Sequence, residues 1–146
     1  MRKTFTLICS LLLVLSMSQT VYARELTEWE PDGMHWNDKP VDAYNLYNGD
    51  IMDGRIHSDN DDDWFCFVAP KNGTVVLKLS NIPEGCDYDL SFWNIDGEEL
   101  ETSTYKENKD EKITYDVRNG FWYYIKVYSS SGSDTENRYR LSIDMN

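Results

Sequence analysis

Two acidic clusters hold the side chains best suited to chemistry. Glu28, Glu30 and Asp32 fall within Glu28-Trp29-Glu30-Pro31-Asp32-Gly33, and Asn60, Asp61, Asp62 and Asp63 stand consecutively ahead of Trp64. Pro31 favours extended backbone at Glu30, and alternate residues of an extended segment point the same way, so the three carboxylates can converge. Calcium takes about six to eight oxygen ligands and tolerates irregular loops, which two acidic segments from separate parts of a chain can supply together. The crowding at 60–63 also favours a cation, because these groups repel one another without one. The alternative is that both clusters are solvated loops of a very acidic protein. The EF-hand pattern is absent, since the run from Asp59 lacks the required glycine and glutamate.

Contact chemistry is the second resource. Residues 121–128, Phe-Trp-Tyr-Tyr-Ile-Lys-Val-Tyr, divide into two alternating sets: Phe121, Tyr123, Ile125 and Val127, and Trp122, Tyr124, Lys126 and Tyr128. Aromatic rings with polar tips suit stacking on sugar rings or packing against a polypeptide. Trp93, out of phase with Leu90 and Phe92, would extend such a stripe from another strand. The competing reading covers these rings with the segment 24–47, which contains Trp29, Trp36, Tyr44 and Tyr47.

Catalysis finds little support. His35 and His57 are the only imidazoles, and no H-E-x-x-H, Walker loop or G-x-S-x-G occurs. Nor do the two histidines have the close ligand spacing of a zinc site. Cys66 lies among aromatic residues, where packing is its expected role. Carboxylate pairs abound in any acidic chain, and one small domain leaves little scaffold for a glycosidase cleft. The expectation is a protein that is not an enzyme.

The elements that position these residues read as all-β. Short runs rich in aromatic and β-branched residues alternate with Gly, Asn, Asp and Ser clusters. Val75, Leu77 and Leu79 alternate onto one face, and the turn Pro70-Lys71-Asn72-Gly73 predicts that 64–68 and 74–80 form a hairpin. Residues 88–93 turn back at Asn94-Ile95-Asp96-Gly97 into 100–105. Residues 113–117 lead through Arg118-Asn119-Gly120 into 121–128, and 139–145 closes the domain. With 50–56 this makes about eight antiparallel strands, the number expected of a two-sheet sandwich.

Ahead of this domain, Arg2 and Lys3 precede the apolar run Leu11-Leu12-Leu13-Val14-Leu15, and Val21-Tyr22-Ala23 offers a cleavage site. Residues 1–23 are expected to be a signal peptide and 24–146 one domain. The chain carries a formal charge of −12, and losing Arg2 and Lys3 makes it more negative. Nucleic acid is therefore an unsuitable partner, whereas cations and basic surfaces are attracted. Export would allow Cys66 and Cys86 to pair, and two half-buried free thiols packed as small apolar groups are the alternative.

Taken in order, Gly54-Arg55-Ile56, Asp61-Asp62-Asp63-Trp64-Phe65-Cys66-Phe67, 87–92 with Asp96-Gly97, 120–128 and Tyr139-Arg140-Leu141-Ser142-Ile143 resemble the bacterial pre-peptidase C-terminal domain. The resemblance implies a jelly-roll-like β-sandwich of the kind appended to exported hydrolases and related to the collagen-binding domains of clostridial collagenases. It implies calcium held by Glu28, Glu30, Asp32, Asn60, Asp61 and Asp63, although Gly33 stands where relatives often carry another Asn or Asp. It also implies that Phe121, Tyr123, Ile125 and Val127 face the core, leaving Trp122, Tyr124 and Tyr128, with Trp93, as ligand-binding residues. The resulting expectation is a secreted, extracellular, monomeric binding module for a protein or polysaccharide, free of the membrane once the leader is removed. A different class of answer is an accessory subunit of a separate secreted protease, as inhibitor, chaperone or targeting factor.

Overall fold

Alternation along the strands decides which side chains meet in the core. In the computed structural model, which describes residues 23–29 and 36–146, Val75, Leu77 and Leu79 point inward from β5 (Gly73–Ser80). They lie opposite Met145, Ile143 and Leu141 of β10 (Tyr139–Met145) on one side. On the other side Leu77 is paired with Ile113 of β8 (Glu111–Val117). The inner row of the facing sheet is built the same way. Phe65 and Phe67 of β4 (Asp62–Val68) lie opposite Ile125 and Tyr123 of β9 (Trp122–Ser131). Leu90 and Phe92 of β6 (Asp87–Asn94) lie opposite Val127 and Ile125. All of these inward residues are buried, and the rings of Phe92 and Tyr123 stack with centroids 5.2 Å apart. Burying an aliphatic or aromatic side chain contributes about 1.5–3 kcal/mol, so these two rows supply most of the driving force for folding.

The remaining strands are β1 (Glu25–Thr27), β2 (Tyr44–Leu46), β3 (Ile51–Gly54) and β7 (Glu99–Ser103). The protein is an all-β sandwich of two five-stranded sheets, ordered β1-β3-β10-β5-β8 and β2-β4-β9-β6-β7. Among the described residues no helix is long and apolar enough to cross a membrane.

Two features depart from the expectation of about eight antiparallel strands. The segment 24–47 contributes two further strands, and both pair in parallel: β1 with β3 and β2 with β4. Strands of three residues carry too little alternation to be recognised locally and form because a sheet edge is there to receive them. The predicted hairpin between 64–68 and 74–80 does not form, since β4 and β5 belong to opposite sheets. Each has one apolar face, and the turn at Pro70–Gly73 folds those faces against each other across the core. By contrast β6 and β7 do form the predicted hairpin, turning at Gly97 with φ of 80°, a conformation glycine adopts at little cost.

Both described cysteines are free and buried. Cys86 belongs to the core, whereas Cys66 shares the outward-facing set of β4 with Trp64 and donates to Asn45 Oδ1 at 3.1 Å. Burial pushes the Cys66 thiol above its ordinary pKa, so the thiolate needed for exchange is scarce. A reductant is therefore expected to leave the melting temperature unchanged. A bridge would show itself by a loss of about 2–5 kcal/mol on reduction.

Candidate functional site

The first candidate site forms where β1, β3, β4 and β10 meet. Alternation splits the acidic run that leads into β4. Asp61 and Asp63 turn inward and are fully buried, while Asp62 turns outward and pairs with Lys126 at 2.7 Å. Glu28, at 3% exposure just after β1, joins the buried acids. Its carboxylate accepts from Asn37 Nδ2 at 2.8 Å and from the Arg55 backbone N–H at 3.0 Å. Asp61 accepts from the His57 backbone N–H at 2.6 Å.

Tyr139 ties this group together. Its fully buried hydroxyl donates to Asp63 Oδ2 at 2.5 Å. Burial holds the phenol well above its ordinary pKa, and Asp63, Glu28 and Asp61 reinforce that shift by their negative charge. Arg138 lies against the same node, donating to the carbonyls of Glu28 and Asp53. Its pKa is lowered, chiefly by burial and then by neighbouring Arg55. The acceptors facing inward are therefore carboxylate oxygens, with the Tyr139 phenol occupied as a donor to Asp63. Among the described residues no three His, Cys, Asp or Glu groups are placed to hold a metal ion. Glu30 and Asp32, two of the expected ligands, lie outside the described residues, as does His35. Asn60 is exposed in the turn before β4.

The second candidate site is the outer face of the other sheet. Strand β9 runs between β4 and β6, and register places Trp93 opposite Tyr124, Trp64 opposite Lys126, and both Asp62 and Asp89 opposite Tyr128. Trp64 and Trp93 approach with ring centroids 5.8 Å apart at 54°, and Trp64 and Tyr124 at 6.3 Å and 79°. The Trp93 indole N–H donates to the buried Ser91 hydroxyl at 2.7 Å, which fixes the ring. Lys126 lies over both the Trp64 and the Tyr128 rings, a cation–π arrangement. Pro40, from the 3-10 turn Pro40–Asp42, completes one wall of a groove of about 380 Å³ along Trp64, Trp93 and Tyr124.

The expected aromatic stripe is thus gathered on one face, with two adjustments. Phe121 precedes β9 and is 54% exposed, because the turn at Arg118–Gly120 ends before the strand's alternation begins. The phenol of Tyr128 bonds to Asp89 beneath it and is pushed up to about 12, first by burial and then by the charge of Asp89. Asp89 in turn is raised to about 6, mainly by burial, with Asp87 and Glu111 adding to it. Among the described residues of 24–47, Pro40 borders the stripe at one wall of the groove, while Trp122 stays 44% exposed and Trp29 and Trp36 pack on each other and remain exposed. Trp64 is the residue that reading the sequence left out. The signal was present, since inward Phe65 and Phe67 require Trp64 to point outward.

No protein-family model matches the sequence, and no curated protein matches it. Among solved structures, the chain is similar to the pre-peptidase C-terminal domain of a collagenase from Bacillus anthracis, at 16% identity and a TM-score of 0.60. The match covers 74% of this chain and 100% of that one. The chain therefore has the fold of that domain. A module described as CBM35 from Cellvibrio japonicus Abf62 is similar at 11% identity and a TM-score of 0.36, covering 58% of this chain and 69% of that one, too distant to bear on function.

Proposed function

We propose that this protein is a secreted, non-catalytic binding module that holds an extracellular protein or polysaccharide on the outer face of the sheet β2-β4-β9-β6-β7. The observation that carries this reading is the convergence of Trp64, Trp93 and Tyr124 on one open groove, with Trp122 exposed further along the same strand. Solvent-exposed aromatic surface is costly to leave uncovered and marks contact sites when contiguous.

Retention on extracellular matrix preparations and cell-wall polysaccharides tests the reading. The wild-type protein is expected to be retained, and the double substitution Trp93→Ala with Tyr124→Ala to be washed through. Equal retention of both proteins would move the ligand to another surface.

We further propose calcium bound jointly by Glu28, Asp61 and Asp63 and by Glu30, Asp32 and Asn60, since the described acids by themselves do not form a three-ligand site. Three buried acids around one buried tyrosine support it, since buried charge demands compensation. A ligand that binds only the native state stabilises by about 2.7 kcal/mol at a hundredfold excess over Kd. Adding calcium after chelation is expected to raise the melting temperature by several degrees, and Asp61→Ala to abolish that rise. An unchanged midpoint would mean that the protein's own hydrogen bonds and ion pairs, His57 with Asp61 among them, balance these acids without calcium.

A further inference from the structure

The groove at Trp64, Trp93 and Tyr124 is selective in what it offers. Among the described residues its lining consists of these three rings with Pro40, Asn94, Ile95 and Gly97, none of them charged. Lys126, beside the groove on β9, is engaged by Asp62 at 2.7 Å and by two aromatic rings. The Asn94 side chain is likewise committed, donating to Glu98 Oε2 and accepting from the backbone N–H groups of Asp96 and Glu98. What remains for a ligand is ring surface.

We infer that the groove holds a single chain of a neutral, soluble polysaccharide, an inference that rests on the binding face proposed above. A polyanion would meet a protein of formal charge −12 with no free cation in the groove to receive it. An extended peptide adding to the sheet needs an unpaired edge, yet β4, β9 and β6 each have neighbours on both sides. A charged peptide side chain would be desolvated against the rings with nothing to pair with. A neutral sugar ring carries none of these penalties. Its C–H-rich face packs on an aromatic ring while its hydroxyls stay in water, and the groove is open enough to let them.

Ring orientation refines the choice further. The planes of Trp64 and Trp93 meet at 54° and those of Trp64 and Tyr124 at 79°, so they form a corner rather than a flat platform. A corner grips one chain from two sides and cannot lie flush against a crystalline surface. Trp93 is held in that orientation by Ser91 before any ligand arrives, which limits the entropy lost on binding.

The test is affinity electrophoresis of the purified protein in gels containing soluble glucans, mannans or neutral xylans, beside pull-down with crystalline cellulose, collagen and heparin. At least one neutral soluble polysaccharide is expected to retard the protein. Trp93→Ala is expected to weaken that binding at least tenfold, Trp93→Phe to keep most of it, and Tyr105→Ala, an exposed ring away from the groove, to change it less than twofold. Quenching of wild-type tryptophan fluorescence by the same polysaccharide provides a readout that needs no substitution. Binding to collagen, heparin or crystalline cellulose alone, lost in Trp93→Ala, would overturn the inference while leaving the proposed face intact. No binding to any of the panel, with no quenching, would overturn the inference as well. Binding indifferent to both Trp93→Ala and Tyr124→Ala would overturn inference and face together.

Discussion

Gly54→Ala is expected to destabilise the protein by about 3 kcal/mol, the upper end for overpacking a well-filled core. Gly54 ends β3 and stands directly opposite Tyr139 on β10. The tyrosine ring folds back across it, so that a Cβ at position 54 would lie 2.3 Å from the Tyr139 hydroxyl and 2.4 Å from the ring carbon bearing it. Glu28 Oε2 would be 2.8 Å away. None of these atoms is free to retreat. Tyr139 is fully buried and anchored to Asp63, and Glu28 is held by Asn37 and the Arg55 backbone. The methyl group would therefore have to separate β3 from β10 or displace a buried carboxylate from its donors. Urea unfolding of the variant checks this, and a loss below about 1 kcal/mol would mean that the node yields far more readily than a close-packed interior does. Tyr139→Phe in the same background is not expected to rescue it, because the ring carbon clashes as well as the hydroxyl.

Mild acid is expected to stabilise this protein rather than weaken it. Asp89 titrates near pH 6 in the folded state, above the value of about 3.9 for an unfolded aspartate. Its charged form is therefore disfavoured by folding at neutral pH. That penalty is full above pH 6, shrinks as pH falls through the folded value, and is gone below the unfolded one. Burial is the main cause, followed by the charges of Asp87 and Glu111, with Lys106 and the Tyr128 hydroxyl acting in opposition. Glu111, raised chiefly by its own burial despite accepting from Ser103 and the Tyr105 N–H, contributes with the same sign. Opposing carboxylates act only at lower pH. Hydrogen bonds from Arg140 hold Asp53 below its usual value, and those from Arg24 and the Tyr47 N–H do so for Asp50 against its burial. Their stabilisation is present at neutral pH and is lost as pH drops below about 4. The melting temperature is thus expected to climb from pH 7 to about pH 5 and fall below about pH 4. Asp89→Asn is expected to raise stability at pH 7, on the order of 2 kcal/mol, and to flatten the rise. A variant whose profile keeps the wild-type slope between pH 7 and 5 would remove Asp89 as its cause.

Much of this architecture was legible from side-chain alternation alone. A period of two is a property of consecutive residues, so Val75, Leu77 and Leu79 had to share a face, and residues 139–145 read as the closing strand that β10 proves to be. The same rule separated Trp122 and Tyr124 from Tyr123 and Ile125, and put Trp93 opposite to Phe92. Fold class followed, because many short half-apolar strands can be buried only by facing two sheets together.

Alternation says nothing about which strand lies beside which. Whether β4 and β5 share a sheet depends on the path of the chain through Pro70–Gly73 and on the partners waiting at each edge, and they fall in opposite sheets. The two strands of segment 24–47 have the same origin, since three residues carry no period and pair only where β3 and β4 leave an edge open. Both candidate sites depend on these choices. Glu28 meets Asp61, Asp63 and Tyr139 only because β1 docks beside β3, and Trp64 meets Trp93 and Tyr124 only because β9 runs between β4 and β6. The sequence by itself determined the inward and outward identity of residues along the longer strands such as β4, β5 and β9, through the local geometry of extended backbone. Only the tertiary structure decided which outward rings share a groove and which inward acids share a node, because those neighbours are set by long-range pairing that no local pattern encodes.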